Sequence, residues 1–323
     1  MQLAGRSTGT RSPAVAGRFY PGTAQALAAE LDGLLAEVPT QPGEPVPKML
    51  LAPHAGYVYS GAIAARAYAR LKPARGRIRR VVMLGPTHRV ALRGIAVPEA
   101  TAFATPLGAV PIDREALAAI AGLPQVVASD LVHAEEHALE VQLPFLQQVL
   151  DDFTLLPLAV GRADPLDVAE VIERLWGGDE TLVVISSDLS HYLPYAEACA
   201  RDRATVDRVL ALDTRLDHEQ ACGATPLAGA LTVARRRGLV PRLLDLRNSG
   251  DTAGDRRRVV GYAAVAFEAL AHPATADDEA ASGAHGAPGA QGAALGAALL
   301  ARARNAIAAG LGLATAPEPE HPA

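Results

Sequence analysis

The sequence predicts an α/β fold, a three-layer α/β/α sandwich around a mostly parallel or mixed central sheet. Three observations point there. Continuous apolar runs, Met49-Leu50-Leu51, Val81-Val82-Met83-Leu84 and Leu182-Val183-Val184-Ile185, read as strands covered on both faces. Segments of helical period separate these runs, as in sheets with helices on either side. Short polar motifs follow the apolar runs, and open α/β sheets bind ligands beyond the carboxyl ends of their strands. Those motifs are Pro53-His54-Ala55-Gly56-Tyr57, Gly85-Pro86-Thr87-His88 and Ser187-Asp188-Leu189-Ser190-His191.

Taken in order, residues 1–11 are polar, carry Gly and Ser/Thr, and read as a flexible leader. Thr23 caps a helix with Leu27, Leu31, Leu34, Leu35 and Val38 on one face, ended by Pro39. A strand near 48–52 precedes a helix from Ser60 to Leu71. Strands near 80–84 and 94–98 precede a helix near 113–121 and a long segment at 135–150. Then come a strand at 154–160, a helix at 165–176 and a strand at 181–186. Helices near 194–212 and 222–237 lead to strands near 242–247 and 259–267. This gives one domain over 12–270. Residues 271–290, rich in Ala, Gly, Pro and Asp, read as a flexible linker. Residues 291–323 hold one Ala/Leu/Arg helix, Ala293 to Leu313, and a tail.

Composition narrows the function. Half of the 323 residues are apolar, 4% aromatic and 20% charged, which describes an ordinary globular chain. A formal net charge of -5 gives no electrostatic case for nucleic acid or an anionic membrane. The short basic run Arg256-Arg257-Arg258 reads as a solvated turn. The sequence holds no apolar run of membrane-spanning length and no secretory h-region, and two cysteines make no disulfide framework. A cytoplasmic location is expected. The absence of G-x-G-x-x-G, Walker and G-x-S-x-G motifs leaves no case for a nucleotide cofactor or an α/β-hydrolase.

The chemistry therefore rests on the strand-end motifs. His54 and His88 both lie just past strands, and neutral imidazoles that converge serve as metal ligands. Asp188 and His191 stand three apart after the third strand, where a carboxylate orients a histidine base. Cys222 precedes Gly223 near a helix start, which favours thiolate, whereas Cys199 in mid-helix reads as a buried apolar residue. His133-Ala134-Glu135-Glu136-His137 fits the H-x-x-E-H pattern of inverted zinc proteases, but His133 falls at or before the helix start and no third ligand is placed. His137 and Glu140, at i and i+3, read instead as a pair on the pocket wall, with Gln142 nearby.

These motifs resemble the Memo family, whose bacterial and archaeal members are called AmmeMemoRadiSam system protein B. Arg18-Phe19-Tyr20-Pro21, Pro53 to Tyr57, Gly85 to His88, Glu136 to Phe145, Ser187 to His191, Cys222-Gly223 and Val260-Gly261-Tyr262-Ala263 match in content and order over about residues 12–270. The resemblance implies a fold similar to class III extradiol dioxygenases. It implies a mononuclear metal on His54, His88 and Cys222, and a catalytic base at His191 with Asp188 beside it. It also implies iron(II) or copper with redox chemistry, zinc ranking behind them. A thiolate in place of a carboxylate ligand softens the site and departs from the iron-oxygenase triad, so dioxygenase activity does not follow from the fold. The final helix is similar to the opening of an AMMECR-type domain, truncated here.

The resulting expectation is a metal-binding redox protein whose pocket is lined by Tyr20, Tyr57, His137 and Glu140 and takes a small-molecule or peptide ligand of unknown identity. A functional link to a radical-SAM protein and an AMMECR-type protein is implied by the family. The rivals are a non-enzymatic peptide- or metal-binding adaptor using the same pocket, and a zinc or cysteine hydrolase with Cys222 as nucleophile.

Overall fold

The computed structural model describes residues 9–39 and 43–269. A short strand β1 (Thr10–Arg11) leads to helix α1 (Ala24–Ala36), where the Thr23 side chain accepts a hydrogen bond from the Ala26 amide. That cap satisfies one of the otherwise unpaired amides of the first turn. Leu27, Leu31 and Leu35 form the buried face. Strand β2 (Met49–Ala52) enters helix α2 (Tyr57–Tyr68), extended by a 3-10 turn over Ala69–Ala74. Strands β3 (Arg80–Pro86) and β4 (Ile95–Val97) precede a hairpin, β5 (Ala102–Thr105) and β6 (Gly108–Pro111). Helix α3 (Arg114–Ile120), strand β7 (Val126–Ala128) and three short helices follow, α4 (Asp130–Ala134), α5 (His137–Glu140) and α6 (Leu143–Val149). Next are β8 (Thr154–Val160), α7 (Pro165–Arg174), β9 (Thr181–Ser186) and β10 (His191–Leu193). The chain continues through α8 (Tyr195–Leu210), α9 (Ala224–Arg236), β11 (Val240–Asn248), α10 (Ser249–Thr252) and β12 (Val259–Glu268).

The main sheet has nine strands in the order β10-β12-β2-β9-β3-β8-β4-β7, with β11 on β12. Its centre, β2-β9-β3-β8, is parallel, and Leu51, Ile185 and Leu84 stand abreast across three strands. The flanks are antiparallel: β12 against β2, β11 and β10, and β4 against β8. A small second sheet joins β1, β5 and β6.

Side-chain alternation in the central strands divides the core into two layers. Leu50, Val81, Met83, Leu182 and Val184 pack with α1, α2 and α6, while Met49, Leu51, Val82, Leu84, Val183 and Ile185 pack with α7 and α9. Each such side chain contributes about 1.5–3 kcal/mol on burial. Strands covered on both faces leave nothing polar for the interior. The polar motifs of the sequence fall at the strand ends for that reason.

Several expectations need correction. The leader read as 1–11 ends earlier, because Thr10 and Arg11 pair with Ala102 and Phe103, and Arg11 is buried against Glu140. Helix α2 begins at Tyr57, three residues before the expected start. The segment 135–150 is not one helix. Glu136 caps α5 through the Ala138 amide, and Pro144 has no N–H to offer the carbonyl four residues back. Cys199 is exposed, since α8 buries Ala198, Asp202, Thr205, Val206 and Val209. The sequence reading missed β1, β5, β6, β7 and β10. The linker 271–290 and the helix Ala293 to Leu313 lie outside the described residues, as do residues 1–8 of the leader.

Candidate metal centre

The parallel arrangement of β2, β9 and β3 builds the site. His54, Asp188 and His88 each stand two residues beyond the last residue of their strand, so neighbouring strands deliver them side by side. Cys222 enters from the turn before α9. There the Asp188 amide donates to Cys222 Sγ at 3.3 Å, and the Gly223 amide donates to Ser187 Oγ at 2.8 Å. A Cβ on Gly223 would lie 2.7 Å from Ser187 Cβ, so only glycine lets this turn approach the end of β9. The ligand atoms of His54, His88 and Cys222 all lie within 4.8 Å of one another, and His54 Nε2 is 3.3 Å from Cys222 Sγ.

Hydrogen bonds behind these groups fix the two imidazoles. Gln142 Nε2 donates to the Pro53 carbonyl and to Ser186 Oγ, while Tyr68 donates its hydroxyl hydrogen to Gln142 Oε1. Ser186 gives its only hydrogen to the Ala138 carbonyl. Its remaining lone pair therefore accepts from His54 Nδ1–H at 2.8 Å, which leaves the Nε2 lone pair facing Cys222. His88 is held in the same sense: its amide and its Nδ1 both face Glu136, at 2.5 and 2.9 Å from Oε2 and Oε1. A carboxylate behind a histidine in this manner fixes the tautomer and raises the basicity of the free nitrogen.

The electrostatics suit neutral donors. Burial, reinforced by His88, pushes His54 down to about 3, and burial with His54 pushes His137 down to about 4. Burial works to raise Glu136, but the hydrogen bonds from His88 and the Ala138 amide outweigh it and hold the carboxyl down to about 2. Burial raises Asp188 against the pull of the His54 amide, which donates to its Oδ1 at 2.8 Å. Burial, and then Asp188, push the Cys222 thiol up to about 12, contrary to the activation expected from a helix start. A thiol protonated at neutral pH becomes a ligand when a cation displaces its proton. Two imidazoles with lone pairs fixed toward one point, and a thiol on the same point, fit a soft or borderline transition metal.

In front of this group lies a cavity of about 690 Å³ that His54, His88, His137, Asp188 and His191 line. His137 meets His88 and His54 at ring separations of 4.6 and 5.4 Å. His191 opens β10, paired with Val260, and among the described residues no hydrogen bond joins it to Asp188. Tyr20, Tyr57 and Glu140 do not line the cavity. Tyr57 donates to the Val141 carbonyl, and Tyr20 donates to Glu140, which also takes Arg11 and the Ala14 and Val15 amides. They hold the segment 11–20 against the wall. That segment does contribute Phe19, whose ring lies 5.0 Å from His137. His133 belongs to α4, not to a helix shared with His137, and its Nε2 faces the Ala96 carbonyl, so the zinc-protease pattern has no counterpart in space.

Sequence reasoning missed Glu136 and Ser186, and it missed Arg18, Tyr59, Tyr192, Arg258 and Tyr262, which also line the cavity. Glu136 stood inside a quoted motif, and Ser186 ended a recognised strand. Nothing in the pattern distinguished them. Tyr192 has φ 60°, a left-handed conformation that costs a bulky residue about 1–3 kcal/mol and gathers at functional sites.

The Memo-like protein family model matches residues 11–266. A MEMO1 family protein of Aquifex aeolicus is 36% identical over 270 residues, covering 80% of this chain and 98% of its own. Those of Methanopyrus kandleri and Methanosarcina barkeri are 36% and 37% identical, each over 80% of this chain and 98% and 100% of their own. The uncharacterized protein JW3007 from Escherichia coli K12 aligns with a TM-score of 0.43 at 13% identity, over 67% of this chain and 98% of that one.

Proposed function

Because this chain belongs to the Memo family, we propose that it is a mononuclear metal protein whose strand-end pocket carries iron- or copper-dependent redox chemistry. His54, His88 and Cys222 hold the ion. The observation that carries this reading is the convergence of three donor atoms within 4.8 Å, with two tautomers fixed toward the common point by Ser186 and Glu136. Bound there, iron or copper would supply one-electron chemistry and a polarising charge. A thiolate with two imidazoles favours copper(I), iron or zinc over magnesium or calcium.

The chain's own groups do the rest. Glu136 and Ser186 keep the ligand nitrogens aimed. His191, half-buried on the cavity wall, is placed to take or give a proton to a molecule in the cavity. Asp188 orders the loop by accepting the His54 amide. The walls of the 690 Å³ cavity limit the water around a bound molecule.

A second reading, a binding module without catalysis, draws on the apolar groups at the mouth: Val58 and Tyr192 are 66% and 62% exposed. The hydrolase reading is weaker, because a thiol pushed up to about 12 is a poor nucleophile. The test is elemental analysis of protein purified without oxygen or chelators, wild type beside Cys222→Ala. About one iron or copper per chain in the wild type and none in the variant is the expected result. A wild type that is metal-free and refuses added iron, copper and zinc would remove the proposal and leave the binding module.

A further inference from the structure

His191 stands on the cavity wall, yet Asp188 gives its Oδ1 to the His54 amide and no hydrogen bond among the described residues ties it to His191. What holds His191 is the peptide before it. The Ser190 carbonyl accepts from the Gly261 amide at 2.9 Å, and the Leu189 amide donates to the Gly261 carbonyl at 2.8 Å. The Ser190 amide donates elsewhere, to Asp202 Oδ1 at 3.0 Å. Both backbone polar groups of Ser190 are thus fixed. His191 then pairs with Val260, the register slips before Leu193, and Tyr192 between them has φ 60°. Strand β10 has only three residues and lies at the end of the main sheet. A left-handed conformation at a bulky residue persists only where the surroundings over-determine it, and the bonds on Ser190 are those surroundings.

Asp202 reaches that peptide from the buried face of α8, which it shares with Ala198, Thr205, Val206 and Val209, and it is 2% exposed. A carboxylate in such a place costs stability unless it is hydrogen-bonded or paired. Arg201, its neighbour in sequence, faces Glu197 and Glu219 instead. The partners of Asp202 are the Ser190 amide and the backbone of Gly261, where a Cβ would overlap the carboxylate, so only glycine lets β12 pass this close. That contact gives Gly261 of the motif Val260-Gly261-Tyr262-Ala263 its reason. Burial raises the Asp202 carboxyl, and Ser190, His191 and Arg201 oppose the rise.

We infer that Asp202 is the positioning residue for His191: by clamping the Ser190 peptide against Gly261, it sets where the imidazole stands on the cavity wall. The inference rests on the reading of His191 as the proton-moving group of the pocket, but not on which metal the site takes. It gives the two buried aspartates of this region separate tasks. Asp188 orders the His54 loop, and Asp202 fixes His191 from the other side of the chain.

The test compares the full chain with Asp202→Ala and Asp202→Asn by NMR on isotope-labelled histidine and backbone amides. The His191 ring is assigned through His191→Gln, and a chelator first removes any paramagnetic ion that would broaden it. In Asp202→Ala the Ser190 amide should exchange with solvent about tenfold or more faster. The His191 ring signals should move and lose their contacts with the Tyr192 ring, 5.9 Å away in the wild type, while the His133 ring stays unchanged. In Asp202→Asn, whose amide oxygen still accepts from Ser190, the His191 signals should stay close to wild type. If Asp202→Ala does not fold, Gly261→Ala replaces it, because its methyl pushes the carboxylate off the Ser190 amide and should displace His191 in the same way. Unmoved His191 signals with only a lower denaturation midpoint would make Asp202 a structural group and overturn the inference. Equal displacement in Asp202→Asn and Asp202→Ala would overturn it as well. The acid/base reading fails separately: a His191 ring that Asp202 positions but that does not titrate between about pH 5 and 8 would refute that reading and leave the positioning standing.

Discussion

Glu136 and Glu140 lie four residues apart, both are buried, and both collect several donors, yet they serve different parts of the molecule. Glu136 receives the His88 ring and amide together with the Ala138 amide, and so aims a candidate ligand. Glu140 receives Arg11, Tyr20 and the Ala14 and Val15 amides, and so fastens the N-terminal segment. The difference comes from the local backbone: Glu136 is the N-cap of α5, with extended backbone, whereas Glu140 is the last residue of that one-turn helix. A buried carboxylate near a histidine is therefore not by itself a site residue. What it accepts from decides.

The largest effect follows from separating Glu140 from its partners. Glu140→Gln leaves the Arg11 guanidinium buried without a counter-charge, which costs about 3–5 kcal/mol of folding stability. Chemical denaturation should show that loss, while any metal-loaded fraction keeps its affinity. If the variant does not fold, adding Arg11→Met should restore a cooperative transition, because the pair is then removed rather than broken. An unchanged midpoint in Glu140→Gln would mean that the anchoring role is wrong.

Glu136→Gln tests the other half. The amide keeps the shape and still accepts one hydrogen bond, so the loss of stability should be smaller, about 1–3 kcal/mol. Metal affinity should fall about 10–100-fold, because the His88 ring is no longer held by a carboxylate. Competition titration with a chelator of known affinity reads it. A variant with wild-type affinity and reduced stability would place Glu136 with Glu140 among the structural carboxylates.

The contrast also shows what the sequence could and could not reveal. Strands such as Val81 to Leu84 were legible because burial on both faces leaves an unbroken apolar run, and the polar residues after them marked the pocket. His54, His88, Asp188 and His191 were found this way, Cys222 from its place at a helix start and His137 from helical spacing, and the structure gathers all six at the ends of β2, β3 and β9 or beside them. Tyr20 and Tyr57 stand in motifs close to the site residues, and Glu140 stands three residues after His137. Nearness in sequence does not fix where a side chain points: Tyr20 and Glu140 bond each other and Tyr57 bonds the Val141 carbonyl. Glu136 and Ser186 were invisible for a different reason. Their roles depend on contacts with residues 48 and 132 positions away, which no local period encodes. Two-residue strands such as β1 carry too little pattern to read, and Arg11 matters through Glu140, 129 positions later.

The smallest effect concerns acid, and it separates the two sides once more. His133 belongs to the Glu140 side, where its carbonyl accepts from Arg11 Nε at 2.8 Å, and burial pushes its imidazole down to about 4. His54 and His137 belong to the Glu136 side, at about 3 and about 4. The unfolded chain binds protons on these rings near the ordinary value of about 6.5. Between that value and about 4 the unfolded state therefore holds more protons than the folded one. Stability is fully present above about 6.5 and is lost as pH falls, by up to about 1.4 kcal/mol per pH unit for each ring. Asp188 and Asp202, both raised by burial, act with the opposite sign above the ordinary aspartate range and soften the fall. A metal ion on His54 holds that ring unprotonated and moves only the Glu136 side. His133→Gln should remove one ring's share of the acid slope equally in metal-loaded and metal-free protein, read as denaturation midpoints from pH 4.5 to 8. If the His133→Gln slope matches the wild type, His133 is not a neutral ring buried against Arg11. If its share changes with metal, the two sides are coupled rather than separate.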